Sequence, residues 1–173
     1  EKLHEIAPQS GCVGLLLHPE PPNFGYLKSA QEAAQTLNLR LVDLRVHDRA
    51  EIERTLAAFA GDGGGSLIVA PNVVSFANSA LIVEQAAKHR MPSIYPFAFF
   101  AKAGGLISYG FDERDQFRQG AIYVDKILRG ANPAELPVQH PMKFEIVINL
   151  KTAKALGLDV PLQVQQLADL VIE

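Results

Sequence analysis

Short apolar runs alternate along this chain with longer segments in which apolar residues recur at helical spacing. Most of the runs are apolar throughout, as in strands that are buried on both faces of a sheet. Residues 41–46 instead alternate apolar and polar side chains, which is typical of a strand near a sheet edge. The strands predicted in this way span residues 12–17, 41–46, 66–70, 93–95, 106–109 and 144–148.

Between these runs, apolar residues spaced three and four apart predict helices. Asp48 precedes one of them in a capping-box pattern with Glu51. The predicted helices lie near 27–37, 49–60, 75–90, 97–100 and 113–130, with two short helices at the C-terminus. Strands that alternate with helices predict right-handed crossovers. The expected fold class is therefore α/β, a doubly wound and mostly parallel sheet with helices on both faces.

Composition excludes several classes of protein. The 173 residues have a net charge of −3, which argues against a nucleic-acid-binding surface. No apolar run approaches the roughly 18 residues of a membrane-spanning helix. Cys12 is the only cysteine, so an internal disulfide and a thiolate-rich zinc site are excluded. The five histidines show no i,i+4 pair, and we expect neither a metal nor a cofactor.

The residues that follow the predicted strands suit a binding site better than a catalytic one. Ligands bind beyond the carboxyl ends of the strands in open α/β sheets. Here those positions are rich in proline, asparagine and aromatic residues and poor in acids, bases and nucleophiles. Asn23 and Asn72 are each either an ordinary helix N-cap or a cap that also serves a ligand. One or two of the rings among Tyr95, Phe97, Phe99 and Phe100 are expected to line a pocket or an interface.

An enzyme is the weaker alternative. The segment Gly61–Gly65 follows a helix and lacks the Gly-Lys-Ser/Thr ending of a phosphate loop, which favours a flexible turn. No Gly-x-Ser-x-Gly motif is present. Only His18 with Asp48 could form a catalytic pair for a small α/β hydrolase or isomerase.

Several segments resemble a family of ABC transporter substrate-binding proteins. The resemblance rests on Met91–Tyr95 and Ala103–Gly110, and above all on Leu136–Gln139 followed by Lys143–Leu158. The family includes binding proteins for tryptophan and related aromatic amino acids. Its members are secreted proteins of the type I periplasmic binding protein fold, with a ligand cleft between two lobes. The resemblance implies no catalytic residues and an extracytoplasmic component of an importer, with a membrane permease as its partner.

The resemblance also implies how the chain divides. Residues 1–109 correspond to a second ligand-binding lobe, 110–135 to a helix and linker of a first lobe, and 136–173 to the part that completes the second lobe. The N-terminus has no signal peptide pattern, so we expect a mature or truncated piece of a periplasmic protein. The apolar face of the helix near 113–130 would then lack its partner. We expect it to pack on a second copy, as a homodimer, or to refold against the second lobe.

By position in the family, Pro22, Asn23 and Phe24 approach the ligand carboxylate. Asn72 stands at a strand end that often has Asp, so it can bind an ammonium group by hydrogen bonds but cannot neutralise it. Tyr95 or Phe97 would provide apolar contact. The strand with Ser108 and Tyr109 would cross toward the first lobe. The ligand expected is a small molecule, an amino acid or a small carboxylate.

One further alternative stays open at this point. A ligand-sensing domain of a transcriptional regulator uses the same two-lobed fold. It would have a DNA-binding segment upstream, which the sequence of the complete gene would reveal.

Overall fold

Each apolar run described above forms a strand of one sheet. The computed structural model describes residues 1–20, 25–141 and 143–173, and within them the sheet has seven strands. The strands are β1 Cys12–Leu17, β2 Arg40–Arg45, β3 Ser66–Val69, β4 Ser93–Tyr95, β5 Ile107–Phe111, β6 Phe144–Asn149 and β7 Leu170–Ile172.

Helices connect most of these strands. They are α1 Lys2–Ile6, α2 Tyr26–Thr36, α3 Arg49–Gly61, α4 Val73–Ala77, α5 Ser79–Lys88, α6 Ala98–Lys102, α7 Glu113–Leu128, α8 Leu150–Leu156 and α9 Leu162–Gln166. A short 3-10 turn, Pro133–Glu135, lies in the predicted linker after α7. None of the described helices is long and apolar enough to span a membrane.

The strand order across the sheet is β2-β1-β3-β4-β5-β6-β7. Neighbouring strands among the first five pair in parallel, whereas β6 is antiparallel to β5 and β7 is parallel to β6. The alternating strand β2 is at an edge, as its pattern predicted. The expected α/β fold, with a doubly wound and mostly parallel sheet, is confirmed.

Successive residues of β1 belong to opposite faces of the sheet, and both faces are covered by helices. Leu16 packs in a cluster with α3 and α5, together with Leu67 and Ile82. Leu15 and Leu17 pack on the other face, on the side of α2. Further along that second side, a cluster that includes Ile107 and Ile148 packs beneath α1, α8 and α9. Every residue of β1 is buried for this reason.

Three local predictions were incomplete. The single helix expected over 75–90 is two helices, α4 and α5, because the Asn78 side chain donates to the Val74 carbonyl oxygen at 2.9 Å where α4 ends. α1 and β7 were not predicted.

α7 stands away from the rest of the structure. None of its residues is buried, and Phe117 and Leu128 are 81% and 82% exposed. The expectation that this apolar face refolds against the second lobe is therefore wrong for this chain. Pairing with a second copy stays a prediction. The contacts of α7 are with the segment that follows it, where the Tyr123 hydroxyl donates to the Pro137 carbonyl oxygen.

Two glycines let β5 lie close to the end of β4. A Cβ on Gly105 would come within 3.0 Å of the Tyr95 ring, and a Cβ on Gly110 would overlap the Pro96 carbonyl oxygen. A backbone oxygen cannot move aside as a flexible side chain can. Gly110 therefore fixes the position of Tyr109 and Phe111 beside the end of β4.

We predict that Gly110→Ala lowers the free energy of unfolding by about 1–3 kcal/mol, since the added methyl group has to push β5 away from Pro96. Urea unfolding measures the change. Gly61→Ala is the matched control because a Cβ there meets no atom within 4 Å, and the helix should gain up to about 1 kcal/mol. Equal effects of the two changes would contradict the close contact.

Candidate functional site

A cleft of about 420 Å³ opens at the carboxyl edge of the parallel strands. It lies on the face of the sheet that α2 covers, between α2 on one side and the paired strands β5 and β6 on the other. We call it the cleft. Its lining consists of Leu15 of β1; Tyr26, Ser29 and Ala30 of α2; Ile68 to Pro71 at the end of β3; Ile94 to Phe97 at the end of β4; Tyr109 to Phe111 of β5; and Phe144 of β6.

The described lining is apolar or aromatic apart from the Ser29 hydroxyl and the phenol groups of three tyrosines. No aspartate, glutamate, lysine or arginine is among the described lining residues. A concave, mostly apolar surface with a few polar groups is the usual form of a small-molecule site. The arrangement can hold a ligand, and it offers neither a strong base nor an activated nucleophile.

Two rings form one wall of the cleft. Tyr109 and Phe144 stack with their centroids 5.6 Å apart and an angle of 23° between their planes. They stay 49% and 50% exposed, whereas most large apolar side chains of the strands are buried or half-buried. The pair exists because Phe111 lies opposite Phe144 in the antiparallel ladder, so Tyr109 is the diagonal neighbour on the same face.

The other predicted rings lie deeper. Tyr95 is 2% exposed and stacks on Phe100, and burial raises the pKa of its phenol above the ordinary range. Phe97 is 5% exposed and meets Phe111 edge to face at 5.3 Å. Both residues border the cleft, but their rings belong mainly to the core.

Asn72 is the N-cap of α4, as one of its two predicted roles required. Its Oδ1 accepts from the Ser75 amide at 2.8 Å, and its Nδ2 donates to the Ala70 carbonyl oxygen at 3.1 Å and to the Ser75 hydroxyl at 2.9 Å. Both amide protons are therefore used within the loop. A ligand acceptor would have to displace one of these bonds.

Other predicted site residues are not brought to the cleft surface or lie outside the described residues. Ser108 is 1% exposed, and its hydroxyl has no partner in the described structure. Pro22, Asn23 and Phe24 lie outside the described residues. Gly25, in the left-handed conformation with φ 73°, directly precedes α2, and the roles predicted for Asn23 stay predictions.

The catalytic pair considered for a hydrolase is not formed. His18 Nδ1 accepts from the Glu20 amide at 3.2 Å, and the ring of His18 meets that of His47 at 5.6 Å. Asp48 caps α3 by accepting from the Glu51 amide at 2.8 Å. No hydrogen bond joins His18 and Asp48 in the described part of the chain. That part also has no cluster of three or more side chains able to hold a metal ion.

Glu51 forms a variant of the capping box at the N-terminus of α3, in which its hydrogen-bond donor is His47. In a capping box its carboxylate would accept from the N-cap amide, but here it accepts from the amide and the ring of His47, each at 2.8 Å. The hydrogen bond from the His47 backbone is the main reason why the pKa of Glu51 is lowered.

Asp112, which precedes α7, and Lys143, which precedes β6, are joined to each other beside the cleft. The Asp112 amide donates to the Lys143 carbonyl oxygen at 2.9 Å, and Lys143 Nζ lies 2.8 Å from Asp112 Oδ2. Asp112 also caps α7 by accepting from the amides of Arg114 and Asp115. The hydrogen bond from Lys143 holds the pKa of Asp112 below its usual value, and the same bond raises the pKa of Lys143.

A second groove, of about 560 Å³, lies between α7 and the segment that returns to β6. Gln116, Tyr123 and Ile127 line one side, and Leu136 and Val138 line the other. This groove is outside the sheet and is separate from the cleft.

Sequence reasoning missed Tyr26, Ser29, Phe111 and Phe144 as lining residues. Phe144 had been predicted to begin a strand, but its place beside Tyr109 depends on the register between β5 and β6. A single sequence does not give the register between β5 and β6, because a long segment of chain, residues 112–143, separates them.

Comparison with known proteins gives one family. The family model described as "ABC transporter substrate binding protein" matches residues 1–172. No curated protein matches the chain.

Solved structures share the fold. A conserved domain protein from Vibrio cholerae O1 biovar El Tor has a TM-score of 0.88 at 23% identity, over 98% of this chain and 57% of that one. An ABC domain from Streptococcus pneumoniae in complex with L-Trp has a TM-score of 0.89 at 22% identity, over 98% and 58%.

A third structure, a ligand-free, open substrate-binding protein with adhesive properties from Clostridium difficile, has a TM-score of 0.70 at 19% identity, over 98% and 57%. At these identities the likeness shows the fold. The chain spans only 57–58% of the length of these structures.

We predict that Lys143→Met raises the pKa of the Asp112 carboxyl toward the usual value of about 3.9, because it removes the bond that stabilises the carboxylate. Carbon-13 NMR titration of the side chain measures the midpoint. The stabilising effect of this pair is present above the unfolded pKa and fades as the pH falls through the folded one. Lys151→Met, on α8, is the control and should leave the midpoint of Asp112 unchanged. An unchanged midpoint in Lys143→Met as well would exclude the ion pair in solution.

Proposed function

The chain belongs to the ABC transporter substrate binding protein family, and from this premise we propose that it captures a small molecule between two lobes and delivers it to a membrane permease. The observation that supports this most is the cleft, which is apolar, concave and open at the carboxyl edge of the sheet. Ligands of open α/β sheets bind at that edge. The proposed setting is the extracytoplasmic side of the membrane, where an importer collects its solute.

We propose that the chain is the second lobe of such a protein together with its crossing segments. Residues 1–109 and 136–173 form the lobe, and 110–135 belong structurally to a first lobe. The 57–58% coverage of the solved neighbours supports this division. So does the apolar face of α7, none of which is buried and which a first lobe would cover.

Closure of two lobes over the cleft would bury the ligand. The wall made by Tyr109 and Phe144 lies next to the crossing segments, since both rings belong to the strands that lead to Asp112 and from Lys143. A ligand held there would contact the strands at the point where the lobes join. We therefore propose Tyr109 as the main ligand-contact residue of this lobe. Phe97 and Tyr95 border the cleft but are 5% and 2% exposed, so a ligand would contact only the edges of their rings.

The ligand class proposed is an amino acid or a small carboxylate. The complex of the pneumococcal neighbour with L-Trp supports this class by fold likeness. Pro22, Asn23 and Phe24 stay candidates for contact with an anionic group. The role proposed for Asn72 becomes indirect, because its amide holds the loop after β3 in shape.

We predict that the complete gene product gains thermal stability with at least one compound from a panel of amino acids and small carboxylates. A ligand at one hundred times its Kd adds about 2.7 kcal/mol to the free energy of unfolding. Differential scanning fluorimetry measures the rise in Tm. Sugars and nucleosides serve as comparison compounds. If no compound of any class raises the Tm, solute capture is the wrong function.

We predict that Phe117→Ser changes the free energy of unfolding differently in the 173-residue chain and in the complete gene product. In the 173-residue chain the side chain is 81% exposed, so stability should change by less than about 0.5 kcal/mol. In the complete gene product a covering lobe would bury it, and the loss should reach about 3 kcal/mol. Urea unfolding compares the two.

Val73→Ser on α4 is the matched control, because Val73 is 83% exposed and belongs to the second lobe. It should be neutral in both lengths. Sedimentation of the 173-residue chain tests the homodimer alternative. If two copies pair through α7, Phe117→Ser should convert the dimer to a monomer. A neutral Phe117→Ser in both lengths, with a monomer throughout, would contradict the proposed coverage of α7.

A further inference from the structure

A smaller cavity, of about 60 Å³, lies beneath α1 and α2 on the same face of the sheet as the cleft. We call it the α1 cavity. It is at the amino edge of the sheet, because Val13, Leu41 and Ser66 in its lining are the first or second residues of β1, β2 and β3. Ala30 and Ile68 line both spaces, so the α1 cavity lies next to the cleft beneath α2.

Small side chains of α2 leave this space open. Ala30 and Ala34 are four residues apart, on the face of α2 that lies over the sheet. Most of the remaining lining is apolar and includes Leu3 of α1 and Leu41 of β2. A cavity with a purely apolar lining stays dry, so its content is decided by the polar atoms that border it.

Two buried polar atoms distinguish the α1 cavity. Ser66 is 2% exposed, and its Oγ has no hydrogen-bond partner in the described part of the chain. His4 Nδ1 is also buried and has no partner there, and both residues line the cavity. Side chains alternate along β3, and Leu67 packs on the opposite face of the sheet. Ser66 therefore shares with Ile68 the face that borders the cavity.

Water fits this combination of volume and polar atoms. A buried polar atom that lacks a partner is unfavourable, and proteins satisfy most such atoms by protein groups or by ordered water. One water molecule needs about 10–15 Å³ of cavity volume and two to four polar partners, so there is room for about four. Ser66 Oγ and His4 Nδ1 provide two partners, and the hydroxyl of the half-buried Ser10 in the lining provides a third.

We propose that the α1 cavity is a binding site for ordered water, which joins Ser66 of β3 to His4 of α1 by hydrogen bonds. The water holds α1 on the sheet by polar contacts, in addition to the apolar packing of Leu3. It also forms a hydrated space next to the apolar cleft, with Ala30 and Ile68 between them. This site is separate from the proposed solute site and does not depend on the identity of the solute.

A high-resolution crystal structure of the complete gene product tests for the water directly. We expect an ordered water within hydrogen-bond distance of Ser66 Oγ, connected to His4 Nδ1 directly or through one more water. A second crystal under xenon pressure is the comparison, because a dry apolar cavity binds xenon. Xenon in the α1 cavity, or a cavity without ordered water, overturns the proposal.

Ser66→Ala tests the energetic role of the water in urea unfolding without ligand. In a hydrated site the change removes a partner of the water, and the equilibrium constant for folding should fall about 5-fold. In a dry site it removes an unsatisfied hydroxyl, and the constant should stay the same or rise.

Ser108→Ala is the matched control. Ser108 is 1% exposed and its Oγ also has no partner in the described residues, but it does not line the α1 cavity. Its replacement should leave the folding constant the same or raise it. Equal effects of the two serine variants would count against the water.

A double-mutant cycle tests the bridge between the two residues. His4→Phe keeps a ring and removes both nitrogens, and it is combined with Ser66→Ala. Because one water network serves both side chains, the loss in the double variant should be at least about 2-fold smaller than the product of the two single losses. Losses that simply multiply would show that the two residues are independent and would overturn the bridge.

Discussion

The antiparallel pairing of β5 with β6 is the constraint on which the site depends. Because β6 runs against β5, the point where the chain leaves the sheet and the point where it returns lie side by side, joined by Asp112 and Lys143. The same ladder places Tyr109 beside Phe144 on the wall of the cleft. A parallel β6 would have separated the two ends by the length of a strand. The wall and the residues that lead into and out of the α7 segment are therefore parts of one two-stranded ribbon, so that a displacement of these residues also displaces the wall.

The position of that ribbon is in turn set by small residues. Gly110 has no side chain because the Pro96 carbonyl oxygen occupies the space, and Gly105 has none because the Tyr95 ring does. Tyr95 is itself fixed in the core by stacking on Phe100. The buried rings of Tyr95 and Phe100 thus support the exposed rings of Tyr109 and Phe144. The dense packing of the core fixes the position of the ribbon formed by β5 and β6, because it leaves no room for the ribbon to shift.

Much of this architecture could be predicted from local pattern. The apolar run 12–17 specified a strand buried on both faces, and the spacing from Phe117 to Leu128 specified the long helix. Contacts between distant segments could not be predicted in the same way. The stack of Tyr109 on Phe144 depends on register, and the burial of Tyr95 depends on Gly105, ten residues further along. The left-handed conformation of Gly25, through which the chain enters α2, is likewise not given by helical spacing.

Three polar side chains at the described part of the carboxyl edge hold the backbone around them. Asp48 caps α3, Asn72 shapes the loop after β3, and Asp112 caps α7 while it holds Lys143. None of them is directed into the cleft, whose lining is left to apolar and aromatic contact. Contact of this kind depends on buried area and ring geometry, and it is screened far less by salt than a charge pair at the surface. The cleft is therefore defined by its shape, which the ribbon and its glycines determine, and the polar groups around it contribute by holding that shape.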